Sequence, residues 1–203
     1  KPNENITLEA NPDYWDGAPK IERVVFKVVP DSATRLIQLQ TGQIQAMDGV
    51  DPNDLPIIER DKALKLITAP GLNVCYLAFN CDKITDKNLR RAIAGAINKN
   101  DLITAVYRGM ATVAKNPLPP FIPGYNDAIP NTLQRSNAPT LSRPLRLEVM
   151  TNPRPYLPNP IRAAELIKAD LAKAGIPVEI VPNEWGSHLA RTSHGEHEMA
   201  LMG

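Results

Sequence analysis

An arginine confined between two prolines is the residue of this sequence whose chemistry can be read most directly. It lies in Pro153-Arg154-Pro155-Tyr156-Leu157-Pro158-Asn159, on the approach to a helix. Each proline fixes its own φ and restrains the residue before it, so Arg154 has little backbone freedom. Its planar fork donates two parallel hydrogen bonds, which suits a carboxylate. The plain alternative is a solvated loop arginine, and these residues alone leave both open.

His194-Gly195-Glu196-His197 is the second constellation. It opens like a zinc-deaminase signature, but the Pro-Cys-x-x-Cys part is absent and His-Glu-x-x-His is not formed. A metal-dependent hydrolase would need a third protein ligand and an open coordination position. His188 is the only other imidazole, and no spacing identifies a carboxylate to complete the set. These residues therefore read as a solvated turn between a helix and a strand. No catalytic residue, metal or cofactor is assigned. Asp101, Glu165 and Asp170 read as helix-face charges, Arg90 and Arg91 as helix-surface residues or partners of nearby carbonyls, and Trp185 and Tyr14-Trp15 as packing residues.

The elements that position these groups follow from periodicity. Val24–Val29 reads as a strand, and Ser32–Gln40 as a helix capped by Asp31 and ended by Gly42. Gln45–Val50 is expected to form a second short strand and Pro52–Arg60 a short helix. A long β run covers 72–81. Its two cysteines, Cys75 and Cys81, would lie about 20 Å apart along a continuous strand, well beyond disulfide reach. Leu89, Ala92, Ile93, Ala96 and Ile97 make one apolar helix face. Asn100 is expected to cap a following helix, Asp101–Arg108, with Leu102, Ala105 and Val106 inward and Gly109 at its end. From 117 to 160 there are eleven prolines in 44 residues, which leaves room for one strand, Leu145–Met150, in a segment of loops. Asn159-Pro160 opens a helix, Ile161–Ala174, closed by Gly175. Val178–Val181 reads as a strand, Ser187–Ser193 as a short helix and Glu198–Met202 as a strand.

Composition narrows the function classes. With 43% hydrophobic residues the 203-residue chain can bury a core, and a net charge of +1 provides no excess for binding nucleic acid or an anionic membrane. No apolar run approaches the roughly 18 residues of a membrane span. Residues 1–30 carry no signal-peptide pattern, and the chain starts at Lys1 rather than an initiator Met, as expected of a trimmed chain.

Several stretches are specific enough to compare with known sequences. They are Asn11-Pro12-Asp13-Tyr14-Trp15-Asp16-Gly17-Ala18-Pro19 with Pro30-Asp31-Ser32-Ala33-Thr34-Arg35, and Leu89-Arg90-Arg91-Ala92-Ile93-Ala94-Gly95-Ala96-Ile97-Asn98 with Pro117-Leu118-Pro119-Pro120 and Gly124-Tyr125-Asn126. To these are added the Arg154 motif, Glu184-Trp185-Gly186 and His194-Gly195-Glu196-His197. Together they resemble the family-5 bacterial extracellular solute-binding proteins, which include peptide, nickel-chelate and haem receptors, and the last stretches look most like the dipeptide branch. The resemblance implies an α/β chain of the two-lobed type II periplasmic-binding-protein fold, here a partial one. Residues 1–78 would be part of the proximal lobe with the start of a hinge strand. Residues 79–203 would be the distal lobe, truncated before the return crossing.

The function it implies is the substrate-binding component of a peptide ABC transporter, not an enzyme. Such a receptor captures di- or oligopeptides between its lobes and hands them to a membrane permease; haem or a metal chelate is the alternative cargo. The same resemblance makes Arg154 the anchor for the ligand carboxylate and Tyr156 its companion, with the acidic partner for the ligand ammonium beyond Gly203. It implies a monomer in the periplasm, or an extracytoplasmic lipoprotein, with its signal peptide removed and no nucleic-acid partner. One departure stands out: the family's Asp-Pro helix between Asn126 and Arg146 is replaced here by Asn131–Pro144.

Overall fold

The computed structural model describes residues 4–130 and 139–203, and the chain divides into two compact units, Lys1–Lys65 and Leu66–Gly203. In the first unit β1 (Asn5–Glu9) pairs antiparallel with β2 (Arg23–Lys27), from Asn5 opposite Lys27 to Glu9 opposite Arg23. The sequence pattern had not marked β1. Helix α1 (Ser32–Gln40) forms as expected, because the Asp31 carboxylate accepts from the Thr34 amide at 2.7 Å and the Thr34 hydroxyl at 2.6 Å. The strand expected over Gln45–Val50 is absent. Arg35, from α1, organises the neighbouring loops instead, donating to the carbonyls of Val29 (2.6 Å), Pro30 (3.0 Å) and Gly49 (2.9 Å). Gly49 has φ +67°, which a regular strand does not accommodate. A 3-10 turn (Pro52–Asp54) capped by Asp51 then leads into α2 (Leu55–Arg60).

The second unit is a four-stranded mixed sheet with helices. Its strands are β3 (Tyr76–Phe79), β4 (Leu145–Met150), β5 (Val178–Asn183) and β6 (Met199–Met202), in the order β3-β6-β4-β5. β4 runs parallel to both β5 and β6, while β3 lies antiparallel to β6. Central β4 is buried at every residue except Arg146, as a strand flanked on both sides must be. The strand expected over 72–81 is thus realised only at its centre, where β6 supplies a ladder from Tyr76 opposite Met202 to Phe79 opposite Met199.

Helix α3 (Lys87–Ala96) presents the expected face: Leu89, Ala92 and Ile93 are buried, and Ala96 and Ile97 pack against the same core. Helix α4 (Lys99–Tyr107) starts one residue after Asn98, which replaces Asn100 as the cap by accepting from the amides of Asn100 and Asp101. Ala105 is exposed rather than inward. Helix α5 (Pro160–Lys173) is capped by Asn159 and followed by Gly175 at φ +74°. Asp170 on α5 is buried, not a face charge. Its carboxylate accepts from the Asn98 amide and from Lys173, both at 2.9 Å, so it ties α5 to the start of α4. Helix α6 (Trp185–Ser193) completes the unit; the Glu184 carboxylate accepts from the amides of Gly186 and Ser187. Residues 131–138, where the family's Asp-Pro helix would fall, lie outside the described residues. No helix among the described residues is long and apolar enough to cross a membrane.

Two carboxylates are buried in the sheet. Glu148 on β4, only 1% exposed, accepts from Asn183 (2.5 Å) and from Arg191 (2.9 Å), with Arg146 at 3.8 Å. Glu198 pairs with Arg143 and accepts from the Arg146 amide at 2.7 Å. Burial alone would raise both acids. The hydrogen bonds from Arg191 and Asn183 outweigh it for Glu148, and those from Arg143 and the Arg146 amide outweigh it for Glu198, so both are held below the usual carboxylate range.

Both cysteines are free thiols: Cys75 is half-buried just before β3, and Cys81 is exposed just after it. Burial pushes the Cys75 thiol up, against a hydrogen bond with Tyr107 that pulls the other way. The thiolate is the reacting species, so Cys81 is expected to react with an aromatic disulfide reagent well before Cys75. Titration of the native protein should show a fast and a slow phase for these two groups. Equal rates, or no reaction at Cys81, contradict this assignment.

Candidate ligand-binding site

The parallel strands β4, β5 and β6 have their carboxyl ends at one edge of the sheet. The chain leaves β4 to reach β5 on one side, and leaves β5 to reach β6 on the other. In α/β sheets ligands bind beyond the carboxyl ends of such strands. The connection after β4 carries Arg154 and Tyr156, the one after β5 carries Trp185, and Gly203 follows β6.

Arg154 sits at the mouth of a tight turn. Its amide donates to the Leu157 carbonyl (3.0 Å) and its carbonyl accepts from the Leu157 amide (2.9 Å), with Pro155 and Tyr156 between. Leu157 is buried in the core, and the Tyr107 hydroxyl donates to the Tyr156 carbonyl at 2.7 Å, fixing the turn to α4. The guanidinium lies 3.7 Å from the centroid of the Trp185 ring, a cation–aromatic contact. Its Nε is buried without a hydrogen-bond partner, and the Tyr156 hydroxyl is likewise. No carboxylate among the described residues pairs with Arg154. Burial raises Tyr156 above the usual phenol range while the charge of Arg154 pulls it down, so it stays a neutral hydroxyl at physiological pH. Its ring covers Gly203 so closely that a Cβ there would lie 2.3 Å away, a position open only to glycine.

The structure sets Arg154 and Tyr156 on one turn, and Trp185, read from sequence as a packing residue, lies under Arg154. Proline-flanked Arg154 and Glu184-Trp185 were both visible motifs, but 31 residues apart they carried no sign of contact. The imidazoles do not converge. His194 bonds the Ala190 carbonyl at 2.8 Å, and His188 is fully buried with Nε2 against the Leu201 carbonyl at 3.0 Å. Glu196 pairs with Arg191 at 3.0 Å. Burial, then the charge of Lys83, hold His197 below the usual histidine range. Among the described residues no group of three or more His, Cys, Asp or Glu is placed to hold a metal.

The profile of the bacterial extracellular solute-binding proteins, family 5 (middle region), matches residues 1–203. The chain belongs to this family. It is 38% identical over 212 residues to the dipeptide-binding protein of Escherichia coli strain K12, covering 99% of this chain and 40% of the relative. Heme-binding protein A of Haemophilus influenzae is 36% identical over 215 residues, covering 100% and 39%. Among solved structures, the ABC transporter-associated periplasmic binding protein DppA from Helicobacter pylori, in complex with peptide STSA, superposes with a TM-score of 0.79 at 32% identity, covering 98% of this chain and 40% of that one. This family-5 chain thus spans about two-fifths of the length of the relatives it matches, and it is an α/β partial chain of the type II periplasmic-binding-protein fold. These relatives are solute-binding proteins rather than enzymes.

Proposed function

We propose that this family-5 chain is part of an extracytoplasmic receptor that captures di- or oligopeptides between two lobes and delivers them to the permease of an ABC transporter. Arg154 receives the peptide's terminal carboxylate, with Tyr156 beside it. The observation that carries this is the state of Arg154: held on a clamped turn, stacked on Trp185, and unpaired among the described residues. A half-enclosed cation without a counter-ion is unfavourable unless an anion completes it, and a guanidinium selects planar oxyanions. The likeness to dipeptide-binding proteins supports a peptide as the donor of that carboxylate.

The same proposal assigns residues 1–78 to the proximal lobe and 79–203 to the distal lobe, and treats the receptor as a periplasmic or lipid-anchored monomer. The second cargo to weigh is haem, because of the 36% identity to Heme-binding protein A and because haem also offers carboxylates. Calorimetry of the intact receptor against a panel of dipeptides, tripeptides, their C-terminal amides and haem tests the proposal. Free-acid peptides should bind at micromolar concentration or tighter, and their amides at least tenfold more weakly. Binding of haem with none of any peptide would overturn the peptide assignment.

A further inference from the structure

Below Trp185 lies a side chain that the carboxylate site does not touch. His188 follows Trp185 by three positions on α6, the spacing that places two side chains on one helix face. Its ring has no solvent exposure. The Leu201 carbonyl can only accept, so the Nε2 it meets at 3.0 Å carries a proton, and Nδ1 is left buried with no partner. An apolar side chain of similar volume would fill the space but would take from the Leu201 carbonyl the donor it has in His188. What histidine supplies here, and leucine would not, is a flat ring whose rotation is fixed by a hydrogen bond to β6.

That ring stacks on the Trp185 indole, with centroids 6.1 Å apart and planes 23° from parallel. The indole in turn carries the Arg154 guanidinium at 3.7 Å. A guanidinium binds a carboxylate through two parallel bonds, so a tilt of its plane costs selectivity for the planar oxyanion more than it costs general affinity. We propose that His188 is a positioning residue: through the stacked Trp185 indole it sets the plane in which Arg154 meets its ligand, and so tunes the preference for a free carboxylate over an amide. This rests on the assignment of Arg154 as the carboxylate anchor.

The test is the ratio of affinities for a dipeptide and its C-terminal amide, measured by calorimetry on the intact receptor carrying His188→Leu, His188→Phe or His188→Gln, each with Arg154 present and with Arg154→Ala. His188→Leu and His188→Gln, which remove the ring, should reduce the ratio by up to about tenfold, the upper end of what one aromatic pair contributes. His188→Phe keeps a flat ring but not its bond to β6, and should lose less of the ratio than His188→Gln. In the Arg154→Ala background all three should change it less than about twofold, because coupled residues are not additive. Should His188→Leu fail to fold, the comparison of Phe with Gln carries the same contrast. An unchanged ratio in the ring-removing variants, equal losses for Phe and Gln, or the same loss without Arg154 would overturn the role of His188 alone. A ratio that Arg154→Ala itself leaves unchanged would overturn the Arg154 assignment and this inference with it.

Discussion

Arg154→Ala in the intact receptor is expected to weaken dipeptide binding by roughly 30- to 5,000-fold, about 2–5 kcal/mol, the range for removing one partner of an enclosed charge pair. Most of that loss is the carboxylate left without a donor in a site that excludes water. Arg154→Lys should fall between, since an ammonium keeps the charge but not the fork and cannot lie flat on Trp185. The dissociation constant for a dipeptide, by calorimetry with each variant checked for folding, decides the matter. A folded Arg154→Ala receptor with unchanged affinity would remove this residue from the site.

The largest effect expected on stability is at the buried Glu148. Arg191→Met keeps an apolar stem but takes away the guanidinium that approaches the carboxylate at 2.9 Å, leaving Asn183 and the more distant Arg146. Stranding a carboxylate that is 1% exposed should destabilise the second unit by about 3 kcal/mol. The pH dependence follows from the direction of the shifts. Glu148 and Glu198 are held lower in the folded state than in the unfolded chain, so their contribution is fully present above the unfolded value, about 4.3, and is lost as pH falls through the folded values. Denaturant unfolding from pH 7 to pH 3 should show stability declining on the acid side of about pH 5, and Arg191→Met, which raises the folded-state value of Glu148 toward or above the unfolded one, should shrink that decline. A stability profile flat down to pH 3 would mean that neither carboxylate is held as described.

Much of this architecture was legible because local chemistry and tertiary demand agreed. Asp31 before Ser32, Asn159-Pro160 and Gly175 mark helix ends by side-chain capping and positive φ, both local effects, and the structure places helices α1 and α5 accordingly. Two of the failures come from a partner outside the local pattern, whereas the cap at Asn98 in place of Asn100 is a local one. Gln45–Val50 has strand-like residues, but Arg35 holds Gly49 in a loop. Asp170 has the look of a surface acid, yet the amide of Asn98, 72 residues away, draws it inward. The candidate site shows the same division: Arg154 and Tyr156 stood out by their prolines and by family resemblance, whereas the contact of Trp185 with Arg154 exists only once β4 and β5 are adjacent.

The turn that carries Arg154 is bonded to itself through Leu157 and to α4 through Tyr107. Its conformational entropy is therefore lost when the chain folds, not when the ligand arrives. If Arg154 receives a carboxylate as proposed, that ligand meets a turn already formed, with no loop left to order around it. Crystals grown without ligand should accordingly show this turn unchanged from crystals grown with it.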